Sequence, residues 1–255
     1  MYLSEIIIIL VIVILPLFAQ AKITSTYNKY SKKDNSVKIT GKEVARKILD
    51  KNGLHNVSID KISGSLTDHY DPKAKKVSLS ESIYEDDSIA SVAVAAHECG
   101  HAIQDKEAYA FLRFRSSMVP VVNFTSRFAT IFIFLGFLLE FLGLLYIGII
   151  LLSVGLLFQL ITLPVEFDAS RRAKKQLQEC GLISNEDIKG TDKVLNAAAF
   201  TYVASFLASA LQVVRLILIS RNRNWSIDQF FIIKKIVLIR TIILYMVIKP
   251  YILLS

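Results

Sequence analysis

Phe128 to Phe167 reads FATIFIFLGFLLEFLGLLYIGIILLSVGLLFQLITLPVEF, and this stretch decides the fold. Up to Pro164 it is broken only by Glu140, Gln159 and small or turn-forming residues. It is about twice the roughly 20 residues that carry a helix across a bilayer, so it predicts a hairpin of two spans. The turn falls near Glu140, Phe141, Leu142 and Gly143. A further span is expected from Asn196 to Ser220, with Arg215 near one end where it can snorkel. Another runs from Ile6 to Ala21 and contains Pro16. With 53% hydrophobic residues in 255 and runs too long for soluble core strands, the chain is read as an integral membrane protein.

Ala19-Gln20-Ala21 looks like a small-residue cleavage site, which would make the first run a signal peptide. Its n-region, Met1 to Glu5, has no lysine or arginine and does carry an acid, which argues for a retained anchor. The two cysteines, Cys99 and Cys180, form no disulfide framework and are read as thiols.

Charge sets an orientation. Lys22, Lys29, Lys32, Lys33, Lys38 and Lys42 follow the first run, and Arg171, Arg172, Lys174 and Lys175 follow the hairpin, whose tip has only Glu140. The positive-inside rule puts both basic segments in the cytoplasm. Arg221 and Arg223 fall on the wrong side of this scheme, so either the span before them does not fully cross or the rule is only partly obeyed. The net charge of +8 suits a protein lying against anionic lipid. The excess sits at membrane flanks and not on one face of a soluble domain, which excludes nucleic acid as the expected partner.

Between the first run and the hairpin lies a segment with its own organisation. Thr40, Glu43, Val44, Ile48 and Leu49 predict a capped amphipathic helix that stops near Gly53. Val57 to Ile62 alternates like a strand. Leu66 to Tyr70 and Val77 to Ser80 flank Asp71-Pro72-Lys73-Ala74-Lys75, a predicted hairpin turn. Ser88 to Gln104 then reads as helix, with Asp86, Asp87 and Ser88 as N-cap candidates.

That last helix carries His97-Glu98-Cys99-Gly100-His101. Residues four apart share a helix face, so the two imidazoles can grip one Zn²⁺ with Glu98 beside the open coordination position. This is the first half of a metallopeptidase site. Cys99 lies on a different face and is read as a small packing residue. A third protein ligand must come from elsewhere, and Glu166 in Leu163-Pro164-Val165-Glu166-Phe167-Asp168 is the candidate. Pro164 ends the apolar span and can open a new helix, which puts Glu166 in its first turn. Glu166 could equally be a helix-start carboxylate placed by the macrodipole.

The H-E-C-G-H-A-I-Q of His97 to Gln104, the membrane hairpin, the L-P-V-E-F-D-A-S-R-R-A of Leu163 to Ala173, and Asp68-His69-Tyr70-Asp71-Pro72 together resemble the YugP-type neutral zinc metallopeptidases. The resemblance covers about Leu3 to Ser220. More distantly the chain is similar to membrane gluzincins of the HtpX and CAAX-protease type, where a glutamate in an E-x-x-A-D setting completes the site. Glu166 and Ala169 match that pattern, whereas Ser170 stands where the Asp would be. Asp168, two residues along, lies on the wrong helix face to replace it. The resemblance makes Glu166 the third ligand of a single Zn²⁺.

The implied activity is hydrolysis of peptide bonds by a zinc-activated water, with Glu98 as general base. His69, Tyr70 and Tyr202 are candidates for contacting substrate or its oxyanion. A histidine beside a turn, as His69 is, more often has a structural role. Asp68 and Asp71 are read as capping the backbone of the Pro72 turn, His55 as a loop residue, and Glu140 as interfacial. The expected partners are the lipid bilayer and a peptide or protein substrate, bound extended along a strand edge, among them membrane or unfolded proteins. Two other readings share the motif: a zinc hydrolase of non-peptide bonds, and a non-catalytic membrane scaffold or assembly factor with a retained zinc site. Against the scaffold, a purely structural site has no use for the base at Glu98.

The expected fold class is an α-helical integral membrane protein with a small α+β, zincin-like soluble domain, a short sheet packed on the motif helix. In chain order this gives a transmembrane helix at 3–21, the soluble segment at 27–119, the hairpin at 120–163, the third-ligand helix and loop at 164–195, and a span at 196–220. The basic, apolar tail at 221–255 is either an interfacial helix or an extra span.

Overall fold

In the computed structural model, residues 3–221 are described; the tail expected to form an interfacial helix or fifth span lies outside the described residues. The elements run α1 (Leu3–Tyr30), α2 (Gly41–Lys51), β1 (Ser58–Ile62), β2 (His69–Asp71), β3 (Lys76–Ser80), α3 (Glu81–Glu85), α4 (Ile89–Lys106), α5 (Ala110–Leu138), α6 (Leu142–Glu179) and α7 (Asn185–Arg221). Helices α1, α5, α6 and α7 are long and apolar enough to cross a membrane. All four extend past the apolar runs that mark them in the sequence, because backbone hydrogen bonding does not need apolar side chains to continue.

The chain divides into two compact units. Among the described residues, the first comprises 3–19, Phe114–Ile161 and 202–221. Its core is a seam of Ala129, Ile133 and Phe137 from α5, Leu145, Ile149 and Leu152 from α6, and Val213, Leu216 and Ile219 from α7. The i, i+3, i+4 spacing on each helix puts these residues on one stripe. On other faces Phe124, Leu139 and Ile150 are 61%, 62% and 63% exposed, the inverse of a soluble surface and suited to lipid. The hairpin turns where expected: the Phe141 amide donates to the Gly136 carbonyl at 3.0 Å, and Glu140 takes a left-handed φ of 52°. A side chain on Gly148 would meet Ile133, its Cβ lying 2.8 Å from the Ile133 backbone nitrogen, so α5 and α6 pack through a missing side chain.

The second unit comprises Gln20–Arg113 and Thr162–Thr201. Helix α2 starts as its sequence predicts, with Thr40 and Glu43 closing a capping box. Its buried face, Val44, Ala45, Ile48 and Leu49, packs on α4. Gly53 ends it at φ 67°, a conformation that costs glycine little. The sheet has the order β1-β3-β2, with β1 parallel to β3 and β2 antiparallel to it. The β2–β3 hairpin turns on Asp71, whose Oδ1 accepts from the amides of Lys73 and Ala74. Asp68 corrects the expectation that it caps the same turn: its carboxylate accepts from the amide and hydroxyl of Ser80 at the end of β3, because strand pairing carries it away from Pro72.

Helix α4 begins at the Ser88 N-cap, whose hydroxyl accepts from the Ser91 amide. Ala90, Ala93, Ala95, Ala96 and Ala102 are fully buried. Small side chains let neighbours approach α4 closely, and β2, β3, α2 and α3 all contact it. The course of α6 also departs from expectation. Pro164 opens no new helix; it lies inside α6, which is continuous from Leu142 to Glu179. Proline removes one donor from the ladder, a loss that long apolar helices with packed neighbours tolerate.

Candidate metal centre

Within the second unit, His97, His101 and Glu166 bring one ligand atom each to within 4.8 Å of one another. The histidines stand one turn apart on α4, rings 4.9 Å between centroids and nearly perpendicular at 84°. Glu166 comes from α6. Its Oε2 lies 3.2 Å from His97 Nε2 and 3.7 Å from His101 Nε2. Ligands of one tetrahedral ion with bonds of about 2.0–2.1 Å are about 3.3 Å apart, close to the 3.2 and 3.7 Å that separate Glu166 from the two imidazoles, so the group could hold a single metal ion. Two imidazole nitrogens and a carboxylate oxygen are also the donor set zinc favours.

Glycine at position 100 makes the meeting possible. A Cβ there would lie 2.5 Å from the Ala169 carbonyl oxygen and 3.1 Å from its Cα. The α4 and α6 backbones therefore touch one turn beyond Glu166, close enough for its short side chain to reach both imidazoles. Glu166, beyond the apolar part of α6, is 2% exposed. Burial opposes its charge, but the His101 and His97 rings outweigh that and hold its carboxyl far below the usual range.

Both imidazoles have a partner on the nitrogen turned away from Glu166. His97 Nδ1 lies 3.2 Å from Ser170 Oγ, so the residue standing in place of the expected Asp still reaches the ring. His101 Nδ1 lies 3.0 Å from Gln104 Oε1. Gln104 Nε2 donates to the Val165 carbonyl at 2.8 Å and to Asp168 Oδ2 at 2.9 Å. Asp168 thus meets the site through Gln104 and not by direct contact with a ligand, in keeping with its helix face. Arg171 and Arg172 donate to Asp168, and Arg172 also reaches Glu107 at the end of α4. The i+3 step from His101 to Gln104 was the available signal for this partner; what lay on the far side of Gln104 had none.

The remaining candidates lie outside that three-residue group. Glu98 is 7% exposed on α4 between the histidines. His69 stands outside the three-residue group and its Nδ1 meets the Thr67 carbonyl at 2.8 Å. The Tyr70 hydroxyl donates to Asp105 at 2.7 Å; burial and that carboxylate push the phenol well above its usual range, so it keeps its proton. Tyr202 lies on α7 in the first unit. Cys99 is fully buried with its thiol toward the Ala45 carbonyl, a packing role, and His55 pairs with Asp50 on the surface.

Residues 5–221 match the family described as "Putative neutral zinc metallopeptidase". The chain belongs to this family. Its cofactor is accordingly Zn²⁺, and the His97, His101 and Glu166 group is where the described residues could hold it. The chain is also 48% identical over 208 residues, 82% of its length and 92% of the relative's, to a Bacillus subtilis (strain 168) protein named "Putative membrane protease YugP". No solved structure matches. Family, relative and four apolar helices together make this a multi-pass membrane protein of the zinc metallopeptidase type.

Proposed function

We propose that this protein is a membrane-embedded zinc endopeptidase of the gluzincin type, with His97, His101 and Glu166 as metal ligands and Glu98 as general base. The observation that carries the reading is the meeting of two imidazoles from α4 and one carboxylate from α6, their ligand atoms within 4.8 Å of one another. Bound there, zinc would polarise a water and the scissile carbonyl. Glu98, buried between the two histidines in sequence, accepts the proton of the attacking water and returns it to the leaving amine. The zincin-like arrangement finds support in α4 lying against β2 and β3. Strand β2 is an edge of the sheet, and an extended peptide adding along such an edge would bind through its backbone with little side-chain preference. His69, on that strand, is the foremost of the three candidates for the oxyanion, since the Tyr70 proton is engaged by Asp105. The basic residues flanking the apolar runs favour the cell membrane with the active site on the cytoplasmic side, where juxtamembrane segments and unfolded membrane proteins are the fitting substrates.

The test is metal content and hydrolysis of a quenched casein substrate by the detergent-purified full chain. Wild type is expected to carry one zinc and to cleave, Glu98→Gln to keep the metal without turnover, and Glu166→Ala to lose the metal. Retention of zinc by Glu166→Ala would move the third ligand elsewhere. Zinc without cleavage of any peptide would favour a retained zinc site on a scaffold, and cleavage of esters alone a non-peptide hydrolase.

A further inference from the structure

The two histidines of the site are held in unequal ways. Ser170 offers His97 a hydroxyl, which can donate or accept and so leaves the tautomer of that ring open. Gln104 offers His101 an amide whose orientation is forced. Its nitrogen end faces two groups that can only accept, the Val165 carbonyl and the Asp168 carboxylate. The oxygen end therefore faces His101, and an oxygen there requires the proton on Nδ1. In the neutral ring that metal binding requires, that leaves the lone pair on Nε2, the nitrogen turned to Glu166. Gln104 is 0% exposed, so water cannot substitute for any of its three partners. Asp168 is in turn gripped by Arg171 and Arg172. One of the three bonds goes to the carbonyl of the residue immediately before Glu166, so the same amide touches the settings of two ligands on two helices.

We propose that Gln104 is the positioning residue of the metal centre: its amide sets the tautomer of His101 and ties α4 to the turn of α6 that carries Glu166, with Asp168 and Arg172 keeping the amide in orientation. This rests on the reading that His97, His101 and Glu166 hold the metal. It gives a role to the last residue of the His97 to Gln104 motif, and it explains why Asp168 lies off the ligand face of α6.

The experiment measures zinc affinity by chelator competition, the visible spectrum of the cobalt-substituted protein, and the thermal midpoint of the metal-free full chain in detergent. Gln104→Leu, close in volume and without hydrogen bonds, is expected to weaken zinc binding by roughly 10- to 100-fold and to shift the cobalt spectrum. Gln104→Glu keeps an acceptor for His101 but sets a carboxylate against Asp168, and should weaken binding at least as much. Adding Asp168→Asn to Gln104→Glu restores a donor–acceptor pair and should recover part of the affinity. If Gln104→Leu and Gln104→Glu bind zinc within about twofold of wild type while only the thermal midpoint falls, Gln104 is a packing residue and the proposal is overturned. The ligand assignment fails separately, and takes the proposal with it, if His97→Ala binds zinc as wild type does.

Discussion

Helix α6 makes two close crossings, one in each unit, and both need a missing side chain. Near its start, Gly148 of α6 admits the α5 backbone at Ile133. Near its end, Ala169 of α6 presses its carbonyl against Gly100 of α4. Around the first crossing lie Ala129, Leu145 and Ile149, all apolar. Around the second lie His97, His101, Gln104, Glu166, Asp168 and Ser170, joined by hydrogen bonds and ion pairs. The same device thus serves two ends. In an apolar setting it yields packing alone, because lipid is as apolar as the helices and only close contact favours association. With polar side chains at i−3 and i+1 of the contact, it brings the proposed ligands of two helices within 4.8 Å of one another.

The sharpest way to break this comparison is to fill both gaps. Gly100→Val is expected to part α4 from α6 and reduce bound zinc from one per chain to a small fraction, read by metal analysis of the purified protein. Gly148→Val should leave zinc stoichiometry at the wild-type value while lowering the thermal midpoint, at an overpacking cost of about 1–3 kcal/mol. Equal loss of zinc in both variants would show that the two crossings are not separable in function. A milder probe is the α2 cap, which touches neither crossing. Thr40→Ala removes the capping box and should cost about 1 kcal/mol in denaturant unfolding with unchanged zinc affinity. Smallest is the effect of a thiol reagent on the native protein. Burial pushes the Cys99 thiol far above its usual range, so alkylation followed by mass spectrometry should label the partly exposed Cys180 and leave Cys99 untouched until the protein unfolds. Labelling of native Cys99 would mean that α4 is open to solvent one residue from Gly100.

Much of this molecule was legible before folding, for definite reasons. Hydropathy is a local property, so Phe128 to Phe167 announced a hairpin and Glu140 its tip. Capping is likewise local, so Thr40 and Glu43 marked the start of α2, and the candidates Asp86, Asp87 and Ser88 bracketed that of α4, where Ser88 is the cap. The i, i+4 spacing of His97 and His101 fixed their common face without reference to any neighbour. Pro164 shows the limit of such reading: a local stop signal was overridden by a helix that continues fifteen residues beyond it to Glu179. Asp68 shows it too, since the turn it was assigned to is capped by Asp71, and its carboxylate is spent across the hairpin on Ser80.

The sequence by itself determined the apolar helices, the small sheet's turn, the paired histidines and, by resemblance, the glutamate that joins them. Only the tertiary structure decided that Gly100 meets Ala169, that Ser170 reaches His97, and that Gln104 links His101 to Asp168. Those contacts join residues more than sixty positions apart. No periodicity or spacing within one segment encodes such a distance; it is set by which faces of α4 and α6 exclude water together.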